Sequence, residues 1–405
     1  MGLKQASVLG LLIFLLLSGC AFSSGTNQQK VDTILAEQTQ PGGAPTLTPL
    51  ENPGVPIPTL TSSTQVPLTG VSEVIQTGIL PATVTALNPL TGLQVTNPEK
   101  LNRRPVLTKI SNFPAEGRPH AGLSLSDIVF EYYIGEYMNR FLALYYSQDT
   151  PKAWPLRSGR LIDAQLTNLF GGILVYGNAD PRVETIITRD LYNRSIPFKM
   201  SACPPICGEE THSATGVWVD TAAVTDWAIS QDMDNQRPDL TGLVFSEDLP
   251  SGGVNVNTLD VEYIKWNHGQ WRYDPSSEKY LRYIESWDGT NTYPLIPLID
   301  QVTNQQVSFT NIVILFSEYI EYSPTYHDAV LWDNTTGKRA IYFRDGMMYE
   351  GTWFTADRQK PFLLLDPQNQ PMRLKPGTTW FIIAGISSTF SPVSSEQYML
   401  NVAIP

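Results

Sequence analysis

Histidine and cysteine are scarce in this 405-residue chain, with four of the first and three of the second. A structural zinc site normally takes four such ligands in two close pairs. Only Cys203 and Cys207 stand close together. His212 follows five residues later, while His120, His268 and His327 are scattered. No metal and no cofactor is therefore expected. Charge is thin as well, with Asp, Glu, Lys and Arg making up 16% of the residues against roughly 25% in ordinary soluble proteins. The balance is acidic, at -12. Such a surface is repelled by nucleic acid, which is excluded as a partner, and by an anionic membrane face. Long apolar runs are missing too. The greasiest stretch, Val8 to Leu17, falls well short of the roughly 20 residues that span a bilayer. Also absent are a Gly-x-Ser-x-Gly elbow, a P-loop, a His-Glu-x-x-His pair and a dinucleotide fingerprint. Ser213 beside His212 is no substitute, because a nucleophile and its base meet in space and not by adjacency.

What the amino terminus does have is a lone Lys4, the short apolar run, and then Leu17-Ser18-Gly19-Cys20. A basic start, an apolar centre and small residues before a cysteine form a lipoprotein signal peptide. Residues 1–19 are expected to be removed and Cys20 to carry lipid, which tethers the chain to the cell membrane on its extracytoplasmic face. A plain secretory signal with a chance cysteine is the alternative. In an oxidising compartment the remaining pair, Cys203 and Cys207, reads as one disulfide, with a metal pair and free thiols as the other options. Residues 20–88 are rich in Ser, Thr, Pro and Gln and show no sustained amphipathic period. They read as a disordered stalk.

Beyond the stalk, residues 89–245 alternate strand-like and helix-like patterns, which predicts an α/β (or α+β) domain. Strands are expected at Arg104–Ser111, Asp127–Tyr133, Arg140–Tyr146 and Ile173–Tyr176. Helices are expected from Ser158, from Asp180 with Pro181 at its first position, and from Asp220. From residue 250 to 405 the pattern becomes mostly β. It includes a hairpin turning at Asn267-His-Gly and strands at Asn311–Phe316, Arg339–Phe343, Met347–Phe354 and Thr378–Ala384. The tryptophans of this second region are read as cross-strand packing.

Trp154-Pro-Leu-Arg-Ser-Gly-Arg160 is the candidate for chemistry. Arg157, Ser158 and Arg160 surround an expected helix start, where backbone N–H groups and guanidinium groups suit a phosphate or carboxylate. Asn178 and Arg182, in Tyr176-Gly-Asn-Ala-Asp-Pro-Arg182, occupy the loop after a strand, where α/β sheets commonly bind ligands. Arg118 joins the candidate anion ligands because arginine is concentrated in this region: Arg103, Arg104, Arg140, Arg189 and Arg194 are also there. The alternative is that these arginines pair with Asp127, Glu131, Glu136 and Asp163.

The runs Arg104-Pro-Val-Leu, Arg118-Pro-His-Ala-Gly-Leu-Ser-Leu-Ser-Asp-Ile-Val-Phe-Glu131, Asn139-Arg-Phe-Leu-Ala-Leu-Tyr145, Pro155-Leu-Arg-Ser-Gly-Arg160, Tyr342-Phe-Arg-Asp-Gly and Lys375-Pro-Gly-Thr-Thr-Trp380 resemble the YerB-like bacterial lipoproteins. The resemblance covers roughly residues 88–400. It implies a membrane-anchored envelope protein with two conserved regions and no assigned reaction. The family's usual loop near Cys203 is basic and lacks the cysteine pair. At the level of fold, the order of strand, Pro-x-Arg-Ser-x-Arg, helix and strand is also similar to the LytR–CpsA–Psr phosphotransferases. Two readings follow. One is a non-catalytic envelope lipoprotein that binds an anionic wall polymer or an envelope protein. The other is a phosphotransferase or hydrolase acting on polyprenyl-pyrophosphate-linked glycopolymer, with Arg157 and Arg160 on the phosphates.

Overall fold

All six residues of Val106–Ser111 (β1) are buried, yet its side chains divide between two cores. Leu107 joins one apolar cluster, while Val106 and Ile110 join another. Successive side chains of a strand point to opposite faces, so a strand covered on both sides is buried along nearly its whole length. Ile128–Gly135 (β2), Met138–Tyr145 (β3) and Ile173–Tyr176 (β4) follow the same rule. In the computed structural model, which describes residues 86–113, 115–209, 215–286, 289, 291–323 and 326–404, these strands lie in the middle of one large mixed sheet. The signal peptide, Cys20, nearly all of the expected stalk, His212 and Ser213 lie outside the described residues.

The sheet continues through Ser195–Pro197 (β5). After it the chain forms Thr258–Ile264 (β6), Asn267–Asp274 (β7), Lys279–Glu285 (β8), Asn311–Ser317 (β9), Lys338–Arg344 (β10), Met347–Phe354 (β11), Leu363–Leu365 (β12), Thr379–Gly385 (β13) and Gln397–Asn401 (β14). The strand order in the large sheet is β12-β11-β10-β9-β13-β2-β3-β1-β4-β5. The segments divided in the sequence at residues 245–250 therefore share one sheet. Strand β2 pairs in parallel with β13, setting Phe130 beside Phe381. Both strands are buried, so their backbone N–H and C=O groups need a hydrogen-bonded strand on either side. The sequence pattern reveals the faces of a strand but not which strand lies beside it.

Helices Leu161–Leu169 (α1) and Pro181–Leu191 (α2) cover the Leu107 face, with Leu166, Leu169, Val183 and Ile187 in its core. The opposite face carries Thr221–Ser230 (α3), through Val224 and Ala228, and a second sheet built around β8-β7-β6-β14. Trp271 of the second sheet meets Trp380 of the large one at 5.0 Å between ring centres, and Trp380 meets Phe141 at 4.9 Å. These tryptophans pack the core, as their strand context predicts. Among the described residues no α-helix follows α3, and none is long and apolar enough to cross a membrane.

Two local expectations move. Helix α1 starts at Leu161 and not at Ser158, because the Asp163 carboxylate accepts the Arg160 N–H at 2.6 Å and makes Arg160 the capping position. The hairpin between β6 and β7 turns at Lys265–Trp266, two residues ahead of the expected Asn267-His-Gly. Helix α2 begins as expected, with Asp180 accepting the Arg182 N–H at 2.9 Å.

Candidate anion site

The site begins with an anomaly in β1. Lys109 interrupts an apolar strand and is fully buried on the face covered by α1. Its ammonium group donates to Asp163 Oδ1 at 3.0 Å and to the Tyr132 hydroxyl, which itself donates to the same carboxylate. Arg140 lies opposite Tyr132 in the β2–β3 register. It is 6% exposed and donates to the Ser158 carbonyl at 2.8 Å. Arg160 donates to the next carbonyl, that of Gly159, at 2.9 Å. The loop carrying these carbonyls is pinned between strands: Arg157 N–H donates to Lys109 O, Gly177 N–H to Arg157 O, and Gly159 N–H to Asn178 O.

Lys109 thus pairs with Asp163, while Arg140, Arg157 and Arg160 lie close enough to influence one another. Among the described residues neither Arg140 nor Arg160 has a carboxylate within ion-pairing distance, and the Nε of each is buried without a hydrogen-bond partner. Burial is the main force that lowers the pKa of Arg140 well below the usual guanidinium range, and Arg160 and Arg157 push the same way. Burial and Arg157 bring Arg160 down to about 10. Lys109 falls to about 7, chiefly through burial; Asp163 opposes the shift, and Arg140 and Arg160 add to it. Burial raises the Asp163 carboxyl, while Lys109 works against the shift. A recess of about 20 Å³, lined in part by Arg157, Ser158, Gly177 and Asn178, opens at the loop whose carbonyls Arg140 and Arg160 bind. It holds about one water-sized atom.

The structure therefore brings Arg157, Ser158, Arg160 and Asn178 to one place and leaves two candidates elsewhere. Arg182 is drawn to its neighbour Asp180 by two hydrogen bonds of 3.0 Å and lies over the Tyr326 ring. Arg118 belongs to another cluster, 2.7 Å from Glu285 and over the Phe113 ring. Several arginines do find acidic partners, but not the ones the sequence suggests: Arg103 takes Asp149 and Arg104 takes Asp234. Arg140, Lys109, Tyr132 and Asp163 were not singled out as site residues. A lysine inside a strand buried at all six positions was the one available signal. Cys203 and Cys207 form a disulfide, with Cα atoms 4.6 Å apart.

The family described as protein of unknown function DUF3048 matches this chain twice, through its N-terminal domain at residues 90–202 and its C-terminal domain at residues 259–381. This chain belongs to the DUF3048 family. It is 38% identical over 305 residues to a Bacillus subtilis (strain 168) protein named "Putative lipoprotein YerB", covering 73% of this chain and 85% of that one. The crystal structure of YerB protein from Bacillus subtilis superposes with a TM-score of 0.60 at 23% identity, over 74% of this chain and 96% of that chain. That superposition supports the fold. The family's description assigns no activity.

Proposed function

We propose that this DUF3048 chain is a lipid-anchored protein of the extracytoplasmic membrane face that binds an anionic group, phosphate or carboxylate, through Arg140, Arg157 and Arg160. The carrying observation is Arg140, a buried guanidinium with no carboxylate in reach among the described residues and two further arginines beside it. An uncompensated buried charge costs several kcal/mol. An anion at the mouth of the recess would recover much of that cost. Ser158 and Asn178 line the same recess and can shape the approach. Its volume of about 20 Å³ suits one oxygen of a single anionic group, so binding is favoured over an enclosed pyrophosphate reaction. The partner would be a wall polymer or envelope protein bearing that group. Support for the tether comes from the Leu-Ser-Gly-Cys20 run and from the name of the Bacillus relative.

Titration calorimetry with inorganic pyrophosphate at low salt tests the site. Wild type should bind, and Arg160→Gln should weaken binding about tenfold, the loss expected for one charge-assisted contact. Affinity that survives in an Arg157→Gln/Arg160→Gln chain would remove the proposal. For the tether, Cys20→Ser should abolish acylation and release the chain from the membrane fraction. A variant that stays acylated would overturn it.

A further inference from the structure

A second cavity, of about 550 Å³, opens where the β2–β3 turn, the end of β6, the strand Tyr319–Ser323 and residues 402–404 meet. That size is in the range of small-molecule sites. Its polar and aromatic lining consists of Tyr133, Tyr137, Tyr263, Glu136 and Glu321, and none of its lining residues is basic. We propose that this cavity is a binding site for an organic ammonium group, held between tyrosine rings and the Glu136 and Glu321 carboxylates.

Three observations beyond the acidic pair support the assignment. The walls are aromatic, and the ring faces of tyrosine attract cations. Tyr263 is only 7% exposed, so its ring forms a buried wall of the cavity. Finally, the turn that presents Glu136 and Tyr137 holds both in the left-handed region, with φ of 51° and 59°. Two-residue hairpin turns of this kind favour Asn-Gly. Here an acid and an exposed aromatic ring take those places, and the buried Asn267 amide pins the turn by donating to Tyr137 O at 2.6 Å. His327 packs edge-on against Tyr133 and lies 3.3 Å from Glu321, which places an imidazole beside the site. A bare metal ion would want a tighter oxygen cluster, and the described residues contain no group of three metal-capable side chains.

Choline and its neutral carbon isostere, 3,3-dimethyl-1-butanol, form the test pair, titrated into the full chain by ligand-observed NMR or calorimetry. Choline should saturate, and the isostere should bind about tenfold more weakly, because only the charge differs. Glu321→Gln and Tyr137→Ala replace exposed side chains and should each weaken choline several-fold, with unchanged thermal melting. Pyrophosphate affinity should stay the same in both variants, which separates this site from the arginine cluster. No choline binding, equal binding of the isostere, preference for N-acetylglucosamine over choline, or indifference to both substitutions would each overturn the proposal.

Discussion

Asp163→Asn keeps the shape of the side chain and removes the negative charge paired with Lys109. In the wild-type chain this carboxylate is fully buried, 3.0 Å from Lys109 Nζ and 2.6 Å from Arg160 N, and it accepts the Tyr132 hydroxyl. Without it, Lys109 would sit among Arg140 and Arg160 with its only carboxylate gone. Removing one partner of a buried ion pair costs about 3–5 kcal/mol. Total stability is about 5–15 kcal/mol in ordinary proteins, so this loss would be a large fraction of the whole. The assay is urea unfolding at pH 6, where Lys109, held near 7, is still mostly charged. The midpoint should fall at constant m. Lys109→Met/Asp163→Asn removes both charges and should recover most of the loss. An Asp163→Asn chain within about 1 kcal/mol of wild type, or a double variant as unstable as the single, would refute this reasoning.

The pH dependence of stability follows from the same lysine. Between pH 7 and 10 the folded chain gives up the Lys109 proton while the unfolded chain, at 10.5, keeps it. The unfolded state then binds more protons, so stability rises with pH by up to about 1.4 kcal/mol per unit from this group. Lys109→Met should flatten that slope in unfolding curves taken at pH 6, 7.5 and 9. Arg118→Ala leaves Glu285 buried and unpaired and should cost about 3–5 kcal/mol in the same assay, with pyrophosphate affinity unchanged because Arg118 lies outside the cluster. Trp380→Ala empties the shared core and strips Glu131 of its indole donor. It should cost about 3–5 kcal/mol, and circular dichroism and tryptophan fluorescence should still report one coincident transition. Separate transitions for the two halves would contradict a sheet shared between them.

The elements were legible where the local pattern decides them. The apolar runs of β1, β2, β3, β9 and β13 and the Asp180-Pro181 start of α2 read directly from residue order. Helix α1 began three residues late because its capping carboxylate, Asp163, comes from inside the helix and not from Ser158. Partnership was much less legible. Glu285 takes Arg118 from 167 positions away, and β13 reaches β2 across a still longer stretch, with Thr379 beside Ile128. Arg157, Ser158 and Asn178 could be grouped in advance because a strand end and a helix start converge on one loop. Arg140 and Tyr132 enter the site only through strand register, which spacing along the sequence does not encode.

Tungstate offers the most direct test of the arginine cluster. Crystals of the chain soaked in dilute tungstate should show an anomalous peak within hydrogen-bonding reach of the Arg157 and Arg160 guanidinium groups, and the peak should vanish in Arg157→Gln/Arg160→Gln crystals. Crystals with no peak there, and with Arg140 and Arg160 each found against a carboxylate, would contradict the account.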